Sequence, residues 1–307
     1  MQIEIHNITK KFNDKIALND VSFSIKSNEP IALLGKNGSG KTTMLRIILG
    51  ILYQDQGQVL INGKKINHEN IKVGYLPEEQ GLYQDISVYD QLIYLASLHD
   101  LSIKQSKKEV DYWLRKLDIL EYKTHKLNSL SKGNQQKVQL IQALFNNPDL
   151  IILDEPFSGI DPLNAILIKE VISEQINKGK IVLISSHQLY YIEELCKKIV
   201  ILNNGTVVIE ENIKDILEKK ASTYSLIFDE EKDIARIKKL LNGLANIILI
   251  DNKKMEIELL GNNNINDVMK KLLNNSINLN SIYKEKKKLV DLFVDLLNNI
   301  GEGDYNE

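Results

Sequence analysis

The sequence is short of several things, and each shortage excludes something. It holds one cysteine in 307 residues, so no disulfide can close within the chain, which fits a reducing compartment. No stretch approaches the ~18 consecutive apolar residues of a membrane span. The longest apolar runs, around 47–53 and 199–202, are short and interrupted. The opening "MQIEIHNITKKF" alternates as a strand does and has no apolar signal block. Charge of one sign is not in excess either. A formal net charge of -2 gives no global attraction to nucleic acid or anionic lipid. No repeat appears at solenoid or propeller periods. Cys196, in "YYIEELCKKIVIL", takes an apolar place in a helical pattern and is expected as a buried structural thiol.

What is present reads as an ordinary globular chain, 43% hydrophobic and 26% charged, long enough for two domains. Two alternating stretches within residues 1–26 predict antiparallel strands, and "GQVLINGKKI" predicts a further strand with an Asn-Gly turn. From Ser87 to Phe145 the apolar residues recur at three-and-four spacing, the mark of an inserted helical subdomain. Strands and helices then alternate: "DLIILDEP", "NAILIKEVISEQINKG", "KIVLISSH", and "KIVILNNGTVVIEE". This order predicts an α/β core with a mainly parallel sheet. Composition shifts near 216–223, read as a linker. Beyond it, "YSLIFD", "ANIILI", "KMEIELL" and "LNSIYKE" alternate with helical stretches and a last helix, "KLVDLFVDLLNNI". Residues 224–300 are expected to form a small α+β domain, with a polar tail at 301–307. The lysines at 286–288 read as a solvated face, and Tyr75, Tyr83 and Tyr89 as packing or interface residues.

The chemistry concentrates in "ALLGKNGSGKTTMLRIILG", residues 32–50. Gly35 to Thr42 matches G-x-x-x-x-G-K-[ST], with a strand before it and a helix after. Glycines let such a loop wrap phosphate closely and turn its amides inward. Gly35, Asn37, Gly38, Ser39, Gly40, Lys41, Thr42 and Thr43 are the expected nucleotide contacts. Lys41 should reach the β- and γ-phosphates, and the Thr42 hydroxyl should ligate Mg²⁺. In "LIILDEP" a buried strand ends at Asp154, placed for the metal shell, and Glu155 follows, placed to polarise a water. His187 ends the next strand and shares that sheet edge if the two strands are neighbours.

The order of phosphate loop, "LSKGNQQKV" (130–138), "LIILDEPFSGID" (150–161) and "SSH" (185–187) resembles the nucleotide-binding subunit of an ABC transporter over residues 1–215. The resemblance implies that Ser131 and Gly133, in the signature stretch, contact the γ-phosphate of ATP held by an opposite subunit. It places Phe12 where an aromatic stacks on adenine, although an aromatic after an alternating strand is also often core. It places Ser158 and Asp161 in a loop that communicates across the dimer, and His187 at a switch position on the γ-phosphate. Lys41, Glu155 and His187 are then the catalytic groups, and Thr42, Asp154 and Glu78 the metal groups. Two departures stand out. Lys132 and Asn134 replace a glycine and a glutamine of the signature, and "VGYLPEEQGLY" puts Glu78 at the usual glutamine position, with Gln80 nearby. Both departures are similar to bacterial single-cassette exporters of sodium, bacitracin and lantibiotics. The implied partners are a membrane-spanning transporter subunit on a separate chain and a second cassette, homo- or heterodimeric, at the cytoplasmic face of the membrane. The rival reading, a soluble ABC-type ATPase acting on nucleic acid or ribosomes, lacks both a long coiled-coil split and a second cassette.

Overall fold

The computed structural model describes residues 1–65, 71–79, 81–99, 101–219, 223–228, 234–251, 253–261, 263–284 and 289–290. Contacts divide the chain into two compact units, Met1–Ile213 and Lys214 onward.

In the first unit, β1 (Gln2–Phe12) and β2 (Lys15–Lys26) pair antiparallel. Their alternation points Ile3, Ile5, Val21, Phe23 and Ile25 into one core, each burial contributing about 1.5–3 kcal/mol. On the other side of β1 lies β4 (Gln56–Ile61), which returns into β5 (Lys64–Lys65). Asn62 and Gly63, at φ 48° and 75°, make the expected tight turn, both in the left-handed region that such hairpins require.

The second sheet runs β10-β9-β3-β8-β7-β6. It comprises β3 (Ile31–Leu34), β6 (Val73–Leu76), β7 (Leu150–Asp154), β8 (Ile181–Ser185), β9 (Lys198–Asn203) and β10 (Thr206–Asn212). Every pairing is parallel except the β9–β10 edge hairpin. Strands β3, β7 and β8 are buried at every residue, which is why they read as unbroken apolar runs rather than alternations. Helices α1 (Lys41–Ile48), α5 (Pro162–Asn177) and α6 (Leu189–Leu195) belong to this core. Between β6 and β7 the chain forms α2 (Val88–Ser97), α3 (Ile103–Lys116) and α4 (Lys132–Ala143), with two short 3-10 turns. Ser131 caps α4 by accepting from Asn134 N at 3.3 Å. Asp161 caps α5 by accepting from the amides of Leu163 and Asn164 at 3.1 Å each, with Pro162 preset at the first helical position.

Cys196 is buried as expected, but it lies just past α6, not within it. Burial alone pushes its thiol pKa far above the usual range, which keeps it protonated and unreactive. Tyr75 packs on the core, Tyr89 lies 3.8 Å beneath the Lys123 ammonium, and Tyr83 is exposed. Among the described residues no helix is long and apolar enough to cross a membrane.

Residues 216–219, at the start of the stretch read as linker, lie in α7 (Ile213–Lys219), where Ile213 and Ile216 are buried. The second unit carries β11 (Thr223–Phe228), α8 (Ile234–Leu241), β12 (Ala245–Asp251), β13 (Lys254–Leu259), α9 (Ile265–Leu273) and β14 (Leu279–Lys284). Its antiparallel sheet runs β12-β13-β11-β14, the order of two interleaved βαβ units. Leu226, Phe228, Met255 and Ile257 of the sheet meet Ile237, Leu241, Val268 and Leu272 of the helices in its core. The lysines at 286–288, the tail, and the last predicted helix apart from residues 289–290 lie outside the described residues.

Candidate active site

The loop leaving β3 is shaped by what its glycines omit. Gly40 has φ 103°, and a Cβ there would stand 2.6 Å from the Ala17 carbonyl and 2.7 Å from Leu18 Cδ2. At Gly35 the space for a Cβ is taken by the Leu202 carbonyl and the Ser39 hydroxyl. Lys41, the first residue of α1, bends back and donates to the carbonyls of Gly35 and Lys36 at 2.8 and 3.1 Å. Burial lowers its pKa, against the pull of the Glu155, Asp154 and Glu78 carboxylates. Helix α1 has no side-chain cap, so its first amides and its dipole remain for an anion.

Across the sheet, β7 and β8 are parallel neighbours with Asp154 opposite Ser185, the condition under which His187 joins the edge. The Ser185 hydroxyl donates to Asp154 Oδ1, while Oδ2 is buried without a hydrogen-bond partner. Burial raises the Asp154 pKa; the Ser185 hydrogen bond opposes this, and the Glu78 and Glu155 charges add to it. Glu155 follows in the left-handed region, at φ 52°, a costly conformation for a side-chain-bearing residue. Its amide donates to the Ser185 carbonyl at 3.0 Å. Its Oε2 accepts from Ser186 Oγ and the His187 amide, both at 3.3 Å, and meets His187 Nδ1 at 2.9 Å.

One cavity of ≈ 750 Å³ collects Phe12, Asn37, Gly38, Gly40, Lys41, Thr42, Thr43, Glu78, Asp154, Glu155 and His187. Phe12 is 46% exposed, so it is no core residue. Gly35 and Ser39, expected as nucleotide contacts, are not among its lining residues; they shape the loop from beneath. Ser131 and Gly133 do not line it either. Ser131 is exposed, and Gly133 is buried against Asn164 of α5. Gln80 lies outside the described residues. Sequence reasoning missed Lys15 and Ala17, which also line the cavity. The signal was the hairpin register, because Phe12 pairs with Lys15 across the turn.

The residues fit a nucleotide with its cation. Asp154 supplies a buried oxygen without a hydrogen-bond partner, and the crowding at Gly35 and Gly40 keeps side chains out of those two turns of the loop. Among the described residues no three His, Cys, Asp or Glu form a metal site by themselves. A cation here needs phosphate and water oxygens as well, the habit of Mg²⁺.

Comparison with known proteins shows the family to which the chain belongs. The ABC transporter family profile matches residues 18–158. An uncharacterised ABC transporter ATP-binding protein of Methanocaldococcus jannaschii is 46% identical over 220 residues, covering 72% of this chain and 81% of that one. The lipopolysaccharide export system ATP-binding protein LptB of Escherichia coli K12 is 32% identical over 219 residues, covering 69% and 91%. The dimeric ABC transporter cassette MJ0796 superposes with a TM-score of 0.63 at 26% identity, covering 69% of this chain and 98% of that chain. It has also been solved as a dimer in a post-hydrolysis state bound to ADP and Pi. The chain belongs to the ATP-binding proteins of ABC transporters, a family of dimerising cassettes that bind ATP with Mg²⁺ and hydrolyse it.

Proposed function

We propose that this protein is the motor of a membrane exporter, working as a cassette dimer at the cytoplasmic face and moving a separate membrane-spanning subunit. Residues 1–215 form the ATP-binding domain in this reading, and 224–300 an accessory domain. The observation that carries it is the separation of Ser131 from its own cavity: it is exposed at the head of α4, free to close the nucleotide site of a second copy. Export is supported by the lipopolysaccharide export system to which the Escherichia coli relative belongs and by the "LSKG" and "PEEQGLY" stretches.

In this mechanism Phe12 stacks on the adenine and Lys41 balances phosphate charge. Thr42 and Asp154, with Glu78 beside them, would hold Mg²⁺, which when bound neutralises charge on the β- and γ-phosphate oxygens. Glu155 takes the proton of the attacking water. His187, 2.9 Å from the Glu155 carboxylate, orients that base and reaches toward the γ-phosphate. Ser131 and Gly133 of the second copy complete the enclosure, so loss of the γ-phosphate opens the dimer.

Mixing two inactive variants tests the shared site. A Ser131→Ala chain and a Lys41→Ala chain should together regain ATPase activity above either alone. The mixed dimer has one site with both Lys41 and Ser131 intact. No recovery sinks the shared site. Affinity purification from membranes should co-isolate a multi-span membrane protein. Recovery of ribosomes or nucleic acid in its place would favour the rival reading.

A further inference from the structure

Helix α4 does more than present Ser131. Two glutamines on it, Gln136 and Gln139, are 6% and 2% exposed. They are three residues apart and so share a face. Gln136 Nε2 donates to the carbonyl of Pro156 at 3.3 Å, and Gln139 Nε2 donates to the carbonyl of Glu79 at 3.3 Å. Pro156 directly follows Glu155, and Glu79 directly follows Glu78. One helix face therefore grips the backbone beside Glu155 and Glu78, two of the three acidic residues that line the cavity, in the same chain. The Gln139 Oε1 atom is buried with no hydrogen-bond partner. Burying an amide at partial satisfaction costs about 1–3 kcal/mol, and an apolar side chain would avoid that cost. The turn after β7 needs such a grip. Glu155 is held at φ 52°, and Gln188 Nε2 takes the next carbonyl, that of Phe157, at 2.9 Å.

We propose that Gln136 and Gln139 are positioning residues that let the signature helix set Glu155 and Glu78 of its own nucleotide site while its Ser131 closes the partner's. This rests on the shared-site reading above. Each α4 then serves two sites by different ends of the same helix: its cap serves the partner copy and its glutamine face serves its own. A shift of α4 on engaging the partner's nucleotide is passed to both carboxylates through two hydrogen bonds.

The mixed dimer separates this role from simple packing. Gln136→Met/Gln139→Met keeps volume and removes both donors. Placed in the Ser131→Ala chain, whose Glu155 works in the one intact site, it should lower kcat by ~10- to 100-fold, the effect of small misplacement of catalytic groups, with KM for ATP changed less than about twofold. Placed in the Lys41→Ala chain, which supplies only Ser131, it should leave the recovered activity unchanged. Equal loss in either chain would show that α4 packing had failed, and no loss in the first would show that the grip is idle; both overturn the proposal. If the parent mixture has no activity, the shared site itself is wrong. The double variant of the otherwise unaltered chain then decides by the same kcat and KM readout.

Discussion

Glu155→Gln should lower steady-state ATP hydrolysis by about 100-fold or more, the range for loss of a positioned general base, while ATP binding persists. The glutamine keeps the shape of the side chain and an oxygen able to accept from Ser186 Oγ and the His187 amide, the partners of Oε2. The turn after β7 is also held through backbone atoms, by the Glu155 amide to Ser185 and by Gln136 and Gln188 on the next two carbonyls. The substitution therefore removes a proton acceptor and little else. Because the γ-phosphate then survives, the ATP-bound dimer should accumulate, visible as a doubled mass in light scattering with ATP and not with ADP. Near-normal turnover by this variant would remove Glu155 from the role of base.

Lys41→Ala should abolish measurable turnover, a loss of ~10²–10³-fold or more for one charge-stabilising donor, and should weaken ATP binding as well. Two effects combine. The ammonium ties the Gly35 and Lys36 carbonyls, so the loop loses its internal brace. Its charge also offsets those of Glu155, Asp154 and Glu78, which act on it through space, and without it a triphosphate would enter a site richer in uncompensated carboxylates. Thermal unfolding reads the binding part. ATP at 100 times its Kd stabilises a protein by about 2.7 kcal/mol, and the variant at the same ATP concentration should show almost none of that. Lys41→Arg is not expected to rescue, since a planar guanidinium does not replace a compact ammonium in a closed loop. Wild-type stabilisation of the alanine variant by ATP would overturn the assignment.

Most of the cavity was legible because its parts are local. A glycine loop between an apolar strand and a helix, or two carboxylates ending a buried run, are patterns of adjacent residues. His187 needed one tertiary fact, the neighbouring of β7 and β8, and an alternating strand-helix order already leaned that way. What stayed hidden depends on register or on burial of polar groups. Lys15 reaches the cavity only because the β1–β2 turn sets it opposite Phe12. Gln136 and Gln139 look solvent-facing in a polar stretch of sequence, and only the packing of α4 sends them inward. The left-handed Glu155 has no sequence mark at all, since glutamate is not a residue chosen for that conformation. The composition shift near residue 216 reads as a linker, and the helix that crosses its start carries two buried isoleucines, Ile213 and Ile216, whose burial no local pattern announces.

The sealed Cys196 makes this protein a ready background for optical measurement. Its thiol is buried and protonated, so a maleimide dye should pass it by in the native fold. A single cysteine introduced on an exposed surface near Ser131 then carries the only label. Donor and acceptor copies mixed in solution would report, by energy transfer, each closing and opening of the pair as ATP is consumed.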